Sequence, residues 1–507
     1  MATRKSYFMR PLALLMLAAM AASVMMVVLA SPAQAAIITV NSVADDADGT
    51  DGECTLREAI TAANTDTASG TATGECAAGS GDDGINIGLS GMVNLTGALP
   101  DLSTNLVIAG PGADEFTVRR DSGGGYRIFT VTSGSVVSIS GITVSGGNVP
   151  FSSGGGIYNG GGTLTISGST ISGNSALTGG GIHNREGILT VSDSTISGNS
   201  AGFGGGVFSD TNLSSTQKTT ITNSTISANT ATDTGGGVIN FAGLSVIGHS
   251  TITKNTAPSG QGSGVASFGQ TDTRTEVLST IISDNEGTDV DFFEGTTNSF
   301  ASKGYNLIGT GNATGAFNQT GDQVGVTDPK LGPLADNGGP TQTHALLTGS
   351  PAIDAIPQGA NGCGSTFTED QRGVSRPQAS ACDIGSFELE KSDTQAPRVI
   401  STFPRNGGEV GPAASIRATF SEDIQEASVV SAFKLYRKGS TNQIAATVTY
   451  DAATDTATLN PTNNLRRGAT YKAVVTTQAK DEAGNRLDQN SPKAGLQQKV
   501  WFFKVDN

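Results

Sequence analysis

The chain has 507 residues, enough for roughly three domains at about 150 residues each. Glycine supplies 69 residues, while charged residues make up only 15 % and aromatics 5 %; this excludes a coiled coil, a charge-rich disordered chain and a Gly-X-Y collagen, and disfavours a helical enzyme. The net charge of −15 is concentrated in residues 37–392, which hold 34 acids against 13 bases, whereas 393–507 hold 11 against 14; so acidic a body repels phosphate backbones, and no nucleic-acid partner is expected.

Residues 1–35 read as a secretory signal. Arg4, Lys5 and Arg10 form a basic stretch, Leu12 to Ala30 is apolar, and Ala33-Gln34-Ala35 supplies the small-x-small pattern for cleavage before Ala36. The apolar run is also long enough for an uncleaved anchor. Nothing else in the chain reaches that length, so no membrane span is expected after signal removal. The implied address is extracellular or cell-surface, by the general secretory route. In that oxidising compartment the two local cysteine pairs, Cys54 with Cys76 and Cys363 with Cys382, read as short-loop disulfides.

Residues 36–80 read as an N-terminal capping module. Thr55 and Glu58 form a capping box, Leu56, Ile60 and Ala63 share a helical face, and Asn64 offers a stop. A short amphipathic helix here would lid the first coil of a repeat that begins near residue 81.

Residues 81–320 carry that internal repeat. Thr163-Leu-Thr-Ile-Ser-Gly-Ser-Thr-Ile-Ser-Gly-Asn174 returns as copies ending at Asn199, Asn229, Asn255 and Asn285, with Ile171, Ile196, Ile226, Ile252 and Ile281 spaced 25, 30, 26 and 29 apart. A second motif alternates with it: Gly154-Gly-Gly-Ile-Tyr-Asn159, Gly179-Gly-Gly-Ile-His-Asn184, Gly204-Gly-Gly-Val-Phe-Ser209 and Gly235-Gly-Gly-Val-Ile-Asn240. Apolar residues alternate with Ser and Thr at period two, a strand signal. A 25–30-residue unit of short strands is one coil of a β-solenoid, stacked on the next at about 4.8 Å. Ile and Val at matching positions then form interior stacks. Asn174, Asn199, Asn229, Asn255 and Asn285 form an internal amide ladder, and the glycine triplets make tight corners. Variable repeat length puts insertions in loops at 209–218 and 269–274.

These repeats resemble the right-handed parallel β-helix family, the architecture of pectin lyases, and also the repeats of polymorphic outer-membrane adhesins. Cys54-Thr-Leu-Arg-Glu-Ala59 resembles the module named for its Cys-Ser-Leu-Arg-Glu-Ala signature, found at the front of bacterial surface β-helices, with Thr55 in place of the Ser. Residues 321–391 are similar to the choice-of-anchor Q domain, motif by motif. The matching stretches are Asp328–Thr341, His344-Ala-Leu346, Gly349–Asp354, Asp370-Gln-Arg-Gly373 and Cys382–Glu388. They are expected to cap the downstream end of the solenoid. Members of that family precede a surface-sorting signal, and neither an LPxTG-type signal nor a hydrophobic tail follows here.

A linker at 392–397 ends in Ala396-Pro397. Seven strand-like runs follow in 398–507: 398–403, 415–420, 433–437, 445–450, 456–459, 469–476 and 499–505. They predict an immunoglobulin-like sandwich with Phe403, Phe420, Phe433, Trp501 and Phe503 as its aromatic core. Without the Cys…Trp…Cys signature, it resembles the bacterial Ig-like domains of S-layer proteins around Phe420-Ser-Glu-Asp-Ile424 and Asn460-Pro461. The fold class is therefore all-β, a right-handed parallel β-helix followed by an immunoglobulin-like β-sandwich.

Candidate chemistry is sparse. Asp45, Asp46, Asp48 and Asp51 offer oxygens for Ca²⁺ without the Gly and Glu of an EF-hand loop, so a solvated turn is the better reading. Asp284, Glu286, Asp289, Asp291 and Glu294 form a second acidic loop. His183 occupies the slot of Tyr158, Phe208 and Ile239, which makes it a corner residue rather than a base. His249 has no companion histidine, and Gly248-His249-Ser250 lacks the acid of a polygalacturonase motif. His344, Asp354, Asp370, Arg372 and Asp383 make the best polar cluster, yet all lie in the 321–391 signature, where salt-bridge and turn roles are expected. With no catalytic residue assigned and no cofactor other than a possible Ca²⁺, the reading is an adhesin-like surface β-helix. It binds extracellular polysaccharide or another cell surface, with the Ig-like domain as spacer. The alternative is a polysaccharide lyase or glycoside hydrolase of the pectin-lyase-like fold. The sequence does not specify an oligomeric state.

Overall fold

A computed structural model describes residues 35–211, 218–378, 380–390, 394–481, 483–490 and 492–507. The signal expected at 1–35 falls, but for its last residue, outside the described residues, as do the start of the 392–397 linker and the middle of the 209–218 insertion. The described residues form two compact units, divided between Leu389 and Glu390. It is all-β, a parallel β-solenoid of about eight turns followed by an Ig-like β-sandwich.

Each turn of the solenoid lends short strands to long parallel sheets. One sheet has 16 strands and bends round a corner of the coil, because the strand Val238–Gly248 belongs to both of its halves. A second has ten strands running from Gly91–Leu95 to Gln323–Val324, and a third has four, from Asn148–Ser153 to Thr230–Thr234. Strand alternation sends every second residue inward, and parallel register then stacks like on like. Ile139, Ile166, Val191, Ile221, Ile247 and Val277 form one fully buried column. Val144, Ile171, Ile196, Ile226, Ile252 and Ile282 form another. Ile282, not Ile281, completes that column, since Ile281 pairs with Thr251 and faces outward. The asparagines mark the coil length here: Asn255 to Asn285 is 30 residues, as is Ile252 to Ile282.

The corners are held by buried polar ladders. Asn174 Nδ2 donates to Asn199 Oδ1, Asn199 to Asn229, Asn229 to Asn255 and Asn255 to Asn285, each at 2.9 Å. The backbone N–H of each residue donates to the same oxygen of the next at 3.0 Å. Asp289 ends the series by accepting from the Asn285 side chain at 2.8 Å. The glycine triplets lie against this ladder. A Cβ on Gly181, Gly206 or Gly237 would come within about 3.1–3.2 Å of Asn199, Asn229 or Asn255 and within 2.5–2.6 Å of the next coil's glycine carbonyl. Asn159 and Asn184 make a second ladder, 2.8 Å apart, continued by Thr219. Ser169, Ser194, Ser224 and Ser250 make a third, each hydroxyl taking the backbone N–H of the coil before.

The first coil is closed by helix α1, Leu56–Thr65. Both arms of its Thr55–Glu58 capping box are formed, and Leu56 and Ile60 are continuous with the solenoid core. The helix ends on Asp66 in the left-handed region (φ 51°) rather than on Asn64, whose side chain instead ties the helix to Asp101 and Ser103. Cys54–Cys76 and Cys363–Cys382 are disulfide-bonded.

The segment 321–391 corrects the expectation of a downstream cap. Phe300 and Phe317, their rings 5.9 Å apart, close the last coil. Residues 328–389 instead run along the side of the solenoid, over the outer face of the ten-stranded sheet. That face is a row of threonine and serine hydroxyls, which must find partners once covered. Thr195 Oγ1 donates to the Gln342 carbonyl, Thr225 Oγ1 to Gln371, and Ser386 N–H donates to Thr251 Oγ1. Ile281 and Leu307 point out from the solenoid into the module's own small core with Leu346, Ile356, Ile384 and Phe387.

The second unit pairs two four-stranded sheets over Trp501, Phe420, Phe433, Phe503, Ile416 and Leu435. All seven expected runs are strands, joined by a short strand, Glu409–Val410, and a helix, α2, Glu426–Ala432. Phe403 is 51 % exposed rather than core. A register shift between Val399 and Ser401 inverts the alternation and turns the ring outward, near Arg417.

Candidate binding surface

The acidic and histidine candidates are built into the framework. Asp45 receives Arg57 at 2.7 Å and the Thr96 N–H and hydroxyl at 2.6 and 2.9 Å, stapling the N-terminal module to the second coil. Asp48 accepts from the Thr50 hydroxyl, Asp51 from the Glu53 N–H, and the Asp46 carbonyl from Thr55; burial and then the Asp51 charge push the Asp46 carboxyl up. Among the described residues, no three His, Cys, Asp or Glu side chains converge as a metal site. In the second acidic loop Asp284 pairs with Lys254 at 2.6 Å, while Glu286 accepts from Thr256 and the Glu294 carbonyl accepts from Gln270. Asp289, raised by burial, ends the asparagine ladder, and Asp291 takes the Gly262 and Asn312 N–H groups.

The cluster in 321–391 divides. Arg372 clamps Asp370 through Nε and Nη2 at 2.9 and 2.8 Å and lies over Phe387. Asp383 accepts the Asp354 and Leu389 N–H groups. Buried beside them are Arg376 and Glu388, 3.6 Å apart; burial, then the Asp383 charge, raises the Glu388 carboxyl to about 7. His344 lies apart from this group, shared between Ser227 and the Gly332 carbonyl. His249 is buried, stacks on Phe367 and touches the Asn361 carbonyl and Arg376; burial and the Arg376 charge hold it down to about 3. These groups dock and brace the module.

On the outer side of the 16-stranded sheet runs an aromatic column in which Tyr158 is half-buried and His183 and Phe208 are buried. The register Tyr158–His183–Phe208–Ile239–Ala266 puts one residue per coil on the outer side of the 16-stranded sheet, because its neighbours Ile157, Ile182, Val207 and Val238 point inward. Tyr158 and His183 have ring centroids 5.5 Å apart, and His183 and Phe208 4.7 Å. Phe241, Phe268 and Phe293 continue the column at 5.7, 5.0 and 5.4 Å. Burial in this column lowers the His183 imidazole to about 4 and keeps it neutral, with Nδ1 on the Thr178 hydroxyl at 2.8 Å.

The column lies in a concave corner. Gly154, Gly179 and Gly204 have φ between 64 and 69°, and a Cβ on each would strike the Cβ of Tyr158, His183 or Phe208 within about 3 Å. The chain therefore folds back so that the four-stranded sheet adjoins the column. That sheet exposes Phe151 (93 %), Leu177 (48 %) and Phe203 (36 %), one from each of three coils. Phe203 takes the register position of Thr178, whose hydroxyl reaches His183. At the column's upstream end a cavity of about 300 Å³ is lined by Ser133, Tyr158, Gly160, Gly161, Arg185 and Glu186. The Arg127 guanidinium covers one face of Tyr158 at 4.9 Å and donates to Ser152.

This arrangement offers apolar rings, a hydroxyl, a cation and a carboxylate around one hollow, the mixture that recognises amphipathic, hydroxylated ligands. The glycine-triplet spacing already marked the Tyr158 slot. The exposed Phe203 beside it was missed, although its position just ahead of Gly204 was there to read.

Residues 393–505 match the family model of a bacterial Ig-like domain. No curated protein sequence matches the chain. Among solved structures it is similar to the S-layer protein rSbsC(31-844), at 21 % identity and a TM-score of 0.17, over 22 % of this chain and 14 % of that one. It is also similar to PcoC, a methionine-rich copper resistance protein from Escherichia coli, at 20 % identity and a TM-score of 0.17, over 22 % of this chain and 100 % of that one. CopC from Methylosinus trichosporium OB3b is similar at 13 % identity, with a TM-score of 0.17, over 22 % of this chain and 93 % of that one.

Proposed function

We propose that this is an exported, surface-displayed β-helix that binds polysaccharide or another cell surface without catalysis, adhesin-like, through the aromatic corner of its solenoid. The Ig-like domain acts as a spacer. The observation that carries the reading is the exposure of Phe151, Leu177 and Phe203 on the four-stranded sheet that adjoins the stacked Tyr158–His183–Phe208 column. Exposed rings and an aliphatic chain on three successive coils of so polar and acidic a body supply the apolar part of that surface. The bacterial Ig-like match at 393–505 and the two disulfides support an extracellular setting. Against a lyase or hydrolase stands the engagement of Asp289, Asp291, Asp370 and Asp383 in ladder ends and turns, where each accepts backbone N–H groups.

The chain without residues 1–35, incubated with immobilised neutral glycans and polyuronates, tests both readings together. Retention of a glycan without release of unsaturated or reducing ends supports binding. Turnover abolished by one Asp substitution replaces it with the enzyme reading.

A further inference from the structure

The hydroxyl row on the outer face of the ten-stranded sheet is longer than the module that covers it. In register, Thr143, Thr170, Thr195, Thr225 and Thr251 form one column, and Ser145, Ser172, Ser197 and Ser227 the column beside it. From Thr195 onward the module satisfies the three threonines and Ser227 with neutral partners only: the Gln342 carbonyl, the Gln371 amide, the Ser386 backbone and hydroxyl and the His344 imidazole. One coil earlier the module stops. Thr170 and Ser172 point out in the same register and have no side-chain partner among the described residues.

At that step a cavity of about 320 Å³ lies between Asp114 with Thr170 and Ser172 on the solenoid and Asp336 with Pro340 on the leading edge of the module. This is within the size range of small-ligand pockets. One Asp336 oxygen is held by the Gly338 N–H at 2.9 Å, which fixes the carboxylate at the rim. Among the described residues, no cationic side chain lines the hollow.

We infer that this cavity is a second binding site, for one neutral sugar residue. The two carboxylates accept only, so they call for hydroxyl donors, and O–H···O⁻ bonds are among the stronger hydrogen bonds available. The threonine and serine hydroxyls donate or accept, as they do in the covered coils. A sugar edge supplies both kinds of group in one ring and takes the place that amides and hydroxyls of the module hold farther along. A uronate or sialate is repelled by Asp114 and Asp336 with no cation to offset them. The site does not depend on the aromatic corner.

The test uses the chain without residues 1–35 and ligand-observed NMR. The probes are the methyl glycosides of glucose, galactose and mannose, N-acetylglucosamine, and galacturonate. At least one neutral sugar binds at millimolar concentration and galacturonate does not. Asp336→Asn and Ser172→Ala each weaken that sugar by about tenfold, as loss of a hydrogen bond to a charged or preorganised group does, with the thermal melt unchanged. Failure of every neutral sugar to bind overturns the site, as does galacturonate binding equally well. Loss of the signal in Tyr158→Ala but not in Asp336→Asn also overturns it, and assigns the sugar to the aromatic corner instead.

Discussion

Replacing Asn199 by Ala removes one rung from the middle of the asparagine ladder. Its Oδ1 accepts from both the backbone N–H and the Nδ2 of Asn174, at 3.0 and 2.9 Å, and its Nδ2 donates to the Ile171 carbonyl and to Asn229 Oδ1, both at 2.9 Å. After truncation Asn174 Nδ2 keeps the Val144 carbonyl and Asn229 Oδ1 keeps the Asn199 N–H. The Asn174 N–H and the Ile171 carbonyl lose these partners in a buried corner. At about 1–3 kcal/mol for each buried group left unmade, the substitution costs about 2–6 kcal/mol. Chemical denaturation, followed through the solenoid transition, measures it against Asn94→Ala, an exposed asparagine whose side chain accepts from Arg119 at the surface, where a change within about 0.5 kcal/mol is expected. An Asn199→Ala protein as stable as the Asn94→Ala control would refute the ladder as a source of coil cohesion.

Three further outcomes rest on the same geometry. Non-reducing peptide mapping returns only the 54–76 and 363–382 linkages, and Cys363→Ser with Cys382→Ser weakens the lateral module by about 3 kcal/mol, the loop-closure value for a separation of 19 residues. In pH-dependent denaturation two buried groups of that region act in opposite directions. Folded Glu388 keeps its proton to about 7 against an ordinary 4.5, so its share of stability is lost as pH rises between those values; Glu388→Gln removes that loss relative to the parent. His249 is held to about 3 against an ordinary 6.5, so its share is lost as pH falls below about 6.5, and His249→Gln removes that one; unchanged pH profiles in both variants contradict the assignment. Residues 390–507 made alone unfold cooperatively by circular dichroism, because Trp501, Phe420, Phe433 and Phe503 close a core of their own.

Much of the fold was legible because a parallel solenoid repeats its packing problem every coil. Ile171, Ile196 and Ile226, the asparagines and the glycine triplets announce inward columns and a corner directly. Legibility ended where the repeat lost phase. In Ser279-Thr-Ile-Ile-Ser283 two adjacent isoleucines fit the period equally well, and only the pairing with Thr251 and Ile252 sends Ile281 out to the module. Phe403 was misplaced for a similar reason, because one register shift reverses a two-residue period without a mark in composition. Helix α2 is seven residues long and buries only Val429 and Ala432, too little to print a helical period. The lateral docking of 328–389 was invisible, since a threonine covered by Gln371 and one facing water read alike. The candidate site was half legible: the slot shared by Tyr158, His183 and Phe208 stood out, but the fold-back that sets Phe203 beside it depends on φ at Gly179 and Gly204.

The central claim, that the aromatic corner of the solenoid is the binding face, is tested most directly by amide hydrogen exchange on the chain without residues 1–35, alone and with the polysaccharide it retains best. The account predicts added protection in 154–160, 179–185 and 203–210, lost in Tyr158→Ala. Protection confined to other faces of the solenoid, or to 394–507, would contradict it.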